Sequence, residues 1–63
     1  MLEDDKTYYQ AAKILMEELL KKENNNYKII ELKDLINGCN QALYAYSKTL
    51  SKEAIFEKLK QLI

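Results

Sequence analysis

Residues 27–50, YKIIELKDLINGCNQALYAYSKTL, decide how this chain folds. Within them Ile29, Leu32, Ile36, Cys39, Leu43, Tyr46 and Leu50 follow one another at strict 3-4-3-4-3-4 spacing. Apolar residues at that interval fall on one side of an α-helix, because 3.6 residues complete a turn. The stretch contains Asn37 followed by Gly38, a pair that ordinarily marks a turn. A true turn would reset the phase of the seam, yet the phase runs unchanged across Gly38. The expectation is therefore one long helix from about Tyr27 to Thr49, weakened but not broken at the glycine, which costs about 1 kcal/mol relative to alanine.

Working toward the N-terminus, Asn24, Asn25 and Asn26 interrupt the pattern, since asparagine tolerates left-handed backbone and competes for local hydrogen bonds. Asn26 is the expected cap of the long helix. Before this run, Tyr8, Ala12, Leu15 and Leu19 recur at 4-3-4 spacing, with Ala11, Met16 and Leu20 widening the stripe. They predict a first helix over about Asp5 to Lys22. Glu3, Asp4 and Asp5 at its start and Lys21 and Lys22 at its end complement the helix dipole, and Glu17/Lys21 and Glu18/Lys22 are spaced as i,i+4 ion pairs.

Toward the C-terminus, Ser51 has the character of an N-cap, opening a third helix from about Lys52 to Ile63. Its expected apolar side is Ile55, Phe56, Leu59, Leu62 and Ile63, and the short Thr49 to Ser51 link obliges it to fold back on the second helix. The chain has no proline and one glycine, and no segment shows sustained period-2 alternation. The expected class is all-α, a small three-helix bundle forming a single domain over residues 1–63.

A chain of 63 residues has a marginal core. One cysteine excludes an intrachain disulfide, and the lack of histidine excludes the usual zinc site, so helix packing or a second copy must supply the missing stability. At about 1.5 Å per residue the three expected helices measure roughly 27, 35 and 18 Å. The mismatch leaves part of the long seam without an intrachain partner, and a homodimer would cover it.

Composition narrows function further. Ten acidic residues balance ten basic ones, all of them lysine. A neutral balance provides no strong field toward nucleic acid or anionic lipid, and without arginine the usual bidentate reader of guanine and phosphate is missing. A helix-turn-helix built on Gly38 would need a small residue where Asp34 stands and an aliphatic where Tyr44 stands. No apolar run reaches the roughly 20 residues of a membrane span, and Met1 to Lys6 is acidic where a signal peptide is basic, so the expected location is the cytoplasm.

Catalysis requires a nucleophile with a base, a metal, or carboxylates with shifted acidity in a cleft. The commonest base, histidine, is absent, and Glu17, Glu18, Glu31, Asp34, Glu53 and Glu57 fall mostly on expected solvent faces beside lysines. Cys39 sits on the seam, where a free cysteine acts as a small buried hydrophobe. No catalytic, cofactor or metal residues are assigned. Five tyrosines are many for this length. Tyrosine is enriched at protein interfaces because it offers rigid area with a polar tip. Tyr9, Tyr27 and Tyr44, with Ile30, are the partner-binding candidates. The expected function is a non-enzymatic protein–protein interaction module, binding another protein or itself. The alternatives are a dimeric DNA-binding regulator and an immunity or antitoxin-like protein.

Overall fold

The computed structural model describes residues 3–45 and 51–63, with side chains from Asp5 to Tyr44 and from Ser51 onward. Helix α1 spans Glu3–Lys22, α2 spans Asn26–Asn40 and continues directly into a π-helical turn over Gln41–Ala45, and α3 spans Lys52–Leu62. Every described element is helical, and the chain is an all-α three-helix bundle of 34 × 18 × 17 Å.

A three-residue link, Glu23 to Asn25, joins α1 to α2, and so short a connection returns the chain antiparallel. The Glu23 amide donates to the Leu20 carbonyl at 3.3 Å, closing α1 with one tight turn. The cap of α2 is Asn25, not Asn26: its side-chain oxygen accepts from the Lys28 amide at 3.1 Å. Any of the three asparagines has the chemistry to cap, and Asn25 stands in extended backbone (φ −84°, ψ 119°) directly before the first helical residue, Asn26. The ion pair near the end of α1 is Lys21 with Glu18 at 3.2 Å, an i,i+3 pair in place of the expected i,i+4 partners.

Helix α2 runs through Gly38 without interruption, as the seam's constant phase requires. Gly38 is buried, so the absent side chain there admits a close neighbour. The irregularity of the second helix appears three residues later, where hydrogen bonding widens to the π pattern at Gln41. The expected extension to Thr49, with Tyr46 and Leu50 on the seam, lies outside the described residues.

Ser51 caps α3 as its type predicts, its hydroxyl oxygen accepting from the Ala54 amide at 3.1 Å. Ser51→Ala is expected to lower stability by about 1 kcal/mol, read as a shift in the urea midpoint. An unchanged midpoint would show that the cap carries no stability.

Two ion pairs give the direction of α3. Lys52 Nζ lies 2.9 Å from Asp5 Oδ1, joining the starts of α3 and α1, and Lys58 Nζ lies 3.9 Å from Glu31 Oε2 on α2. Helix α3 therefore runs parallel to α1 and antiparallel to α2.

The core comprises Tyr9, Ala12 and Met16 from α1, Leu32, Leu35, Cys39, Ala42 and Leu43 from α2 and its continuation, and Ile55 and Leu59 from α3. Tyr8, Leu19, Leu20, Ile36 and Leu62 pack at its edge. Both long helices are thus turned by about one residue from the expected seams. Tyr9 replaces Tyr8 at the centre of α1, and Leu15 is exposed. Leu35 is fully buried, whereas Ile36 and Ile29 are only partly covered. A bundle in which α2 is covered from two sides buries a wider arc than a two-helix seam, and the arc's centre moves toward Leu35. Phe56 and Ile63, expected on the inner side of α3, are half or more exposed.

The expected mismatch in helix length turns on residues 46–50, which lie outside the described residues. Over the described residues, helix α1 has 20 residues and α2 with its π turn has 15 and 5. The inner seam of α2 is spent within the chain over the described residues.

Candidate functional site

Two surface regions carry more apolar area than folding uses. The first is the outer face of α2. Tyr27, Ile30 and Tyr44 are 68%, 59% and 69% exposed, on the side of the helix away from Leu32, Leu35 and Cys39. Tyr27, Ile30, Asp34, Asn37, Gln41 and Tyr44 follow one another at 3-4-3-4-3 spacing, so they line a single outward stripe that is apolar at its two ends and polar in the middle. Toward its C-terminal end the stripe approaches α1, where Lys13 Nζ stands 5.4 Å from the Tyr44 ring centroid. That contact orders the Tyr44 ring without covering it.

The fourth partner-binding candidate does not join this face. Tyr9 is 1% exposed and belongs to the core. Its ring meets that of Tyr8 edge-on, with centroids 6.1 Å apart and planes at 76°. Adjacent helical residues point about 100° apart, so α1 can bury one of the two tyrosines fully, and it buries Tyr9. Burial raises the hydroxyl pKa of both above the ordinary value, making them weaker acids, with the negative charge of Asp5 adding to the effect on Tyr9 and the Cys39 thiol to that on Tyr8. Sequence reasoning also passed over Ile14, which is 62% exposed on the far side of α1.

The second region is an open groove of about 390 Å³ between α1 and α3, lined by Tyr8, Lys52, Glu53, Phe56 and Glu57. Its aromatic lining is the half-buried Tyr8 and the half-exposed Phe56. Glu53 and Glu57 stand one helical turn apart on the α3 side, flanking Phe56 in the sequence. The Lys52 ammonium is held against Asp5. The groove was not legible as a unit, because Tyr8 and Phe56 were each assigned to apolar stripes facing inward.

The groups capable of chemistry are placed otherwise. Cys39 is free and wholly buried, and burial pushes its thiol up to about 11, an effect that nearby Lys13 only partly offsets. A thiol so placed is almost entirely protonated at neutral pH, and the thiolate is the reactive species. Among the described residues no group of three or more His, Cys, Asp or Glu is arranged to hold a metal ion, and no helix is long and apolar enough to cross a membrane. Asn40 Oδ1 is buried and finds no hydrogen-bond partner among the described residues, immediately before the π turn. Comparison with known proteins adds no relative to this picture: no family model, curated protein or solved structure matches the chain.

Proposed function

We propose that this chain is a non-enzymatic interaction module that binds another protein, or a second copy of itself, through the outer face of α2. The observation that carries the reading is the exposure of Tyr27, Ile30 and Tyr44 on a helix whose opposite side already fills the core. Tyrosines are favoured at interfaces, and leaving large apolar groups in water gives folding nothing in return. The lysines favour a protein partner over nucleic acid. Lys21, Lys52, Lys58 and Lys60 each pair with a carboxylate, and Lys13 stands over Tyr44, so much of the positive charge is locally compensated.

The test is a pair of polar substitutions on that face, Tyr27→Ser with Ile30→Ser. Each site is exposed, so stability is expected to stay within about 0.5 kcal/mol per substitution. Light scattering over a dilution series reads self-association, and affinity capture compares the wild type with the variant. The expected result is an assembly or a captured partner that the double variant loses while its helicity is unchanged. Identical behaviour of the two proteins in both measurements would dismiss the α2 face.

A further inference from the structure

We infer that the groove between α1 and α3 receives a basic side chain, arginine or lysine, presented by a segment of a partner protein. The inference stands apart from the reading of the α2 face, which uses different residues. Aromatic faces attract cations through their quadrupole, and nearby carboxylates add charge attraction. This groove is lined by both kinds of group, the aromatic Tyr8 and Phe56 and the carboxylates Glu53 and Glu57.

The chain already shows the chemistry at one edge. Lys60 Nζ lies 5.0 Å from the Phe56 ring centroid and 3.2 Å from Glu57 Oε1, so an ammonium is held between this aromatic ring and this carboxylate. Lys60 is largely exposed, with more than half of its side chain in water, and an incoming guanidinium can displace it at little cost. Glu53, the other wall carboxylate, is exposed on the same side. The remaining cation on the groove, Lys52, is neutralised by Asp5 at 2.9 Å. Among the described residues around the groove, three carboxylates, Asp5, Glu53 and Glu57, face two ammonium groups, Lys52 and Lys60. The helix α3 start contributes a partial positive charge that fades within its first turn and that Glu53 offsets. The balance favours one further cation over an anion or a neutral apolar group. A cavity of about 390 Å³ is large enough for one long side chain and open enough to admit it from a backbone passing outside.

The experiment is a titration of the isotope-labelled full chain, followed by amide chemical shifts, with three blocked tripeptides: acetyl-Gly-Arg-Gly-amide, its lysine counterpart and its alanine counterpart. Saturable shifts clustered at Tyr8, Glu53, Phe56 and Glu57 are expected with the arginine and lysine peptides and not with the alanine peptide. Phe56→Leu keeps an apolar group but removes the ring, and is expected to weaken binding by about two- to fivefold. Glu53→Gln is expected to act in the same direction. Lys60→Ala removes the competing ammonium and is expected to tighten binding by about two- to fivefold. Lys22→Ala makes the same charge change at the far end of α1 and is expected to leave it unaltered. No shifts, shifts spread over every acidic surface, equal effects of Lys60→Ala and Lys22→Ala, or equal binding of the alanine peptide would each overturn the inference. The variant Tyr27→Ser with Ile30→Ser keeps groove binding if the two surfaces are independent, so failure of one reading leaves the other standing.

Discussion

Leu35→Ala is expected to remove most or all of the cooperative unfolding transition of this chain. Leu35 is fully buried between helices, and truncating a buried leucine costs about 2–5 kcal/mol, made up of lost transfer energy and the cavity left behind. A single small core of this size supplies only about 3–5 kcal/mol of net stability. The two ranges overlap, so the variant should be largely unfolded or unfold at a far lower urea midpoint, read by far-ultraviolet circular dichroism. Ile36→Ala provides the comparison that gives the result its meaning. Ile36 is partly covered at the edge of the core, and its truncation should cost clearly less. Ile30→Ala, on the outer face, should change stability by about 0.5 kcal/mol or less. The order Leu35, then Ile36, then Ile30 is the signature of the rotated seam. A larger loss at Ile36 than at Leu35 would return α2 to the phase that strict heptad spacing suggests.

That rotation marks the boundary between what the amino-acid pattern conveys and what it leaves open. Helix α2 carries two apolar stripes that share Leu32, Cys39 and Leu43. One adds Ile29 and Ile36, the other adds Leu35 and Ala42, and both obey helical spacing. Choosing between them depends on the directions from which α1 and α3 approach, which no local pattern encodes. Helix α1 poses the same problem with Tyr8 and Tyr9. Adjacent tyrosines are chemically equal, and only the partner helix decides which is buried.

Features with a local cause were legible. Ser51 capped α3 at the expected residue, and Gly38 was crossed without a break because phase, a property of the whole stretch, outweighed a local turn signal. The cap of α2 was off by one residue, since three consecutive asparagines offer the same side chain at three positions. On the surface, Tyr27, Ile30 and Tyr44 could be singled out because they fall off the inward-facing apolar seam of the second helix. The groove could not, because it exists only where α1 and α3 lie parallel, and their relative placement rests on long-range contacts such as Lys52 with Asp5.

Alkaline pH is expected to weaken this fold well before ordinary base chemistry would, and Cys39 is the reason. Burial raises its thiol from the ordinary 9.0 to about 11, so between those values the unfolded chain releases a proton that the folded chain retains. Stability falls wherever the unfolded state binds fewer protons than the folded one. The contribution is therefore fully present below about pH 9 and is lost progressively as pH climbs from 9 toward 11. A shift of this size corresponds to about 2–3 kcal/mol, comparable to the whole stability of a domain with so small a core. Tyr8 and Tyr9, also raised by burial from the ordinary 10.0, add a loss in the same direction that begins at about pH 10. The check is urea unfolding measured at successive pH values for the wild type and for Cys39→Ala. Alanine fits a buried helical site and has no proton to lose, so the variant should begin somewhat less stable yet decline far less between pH 9 and 11. Parallel curves for the two proteins would mean that the thiol ionises without opening the core, and the alkaline sensitivity would then have to be sought in the tyrosines.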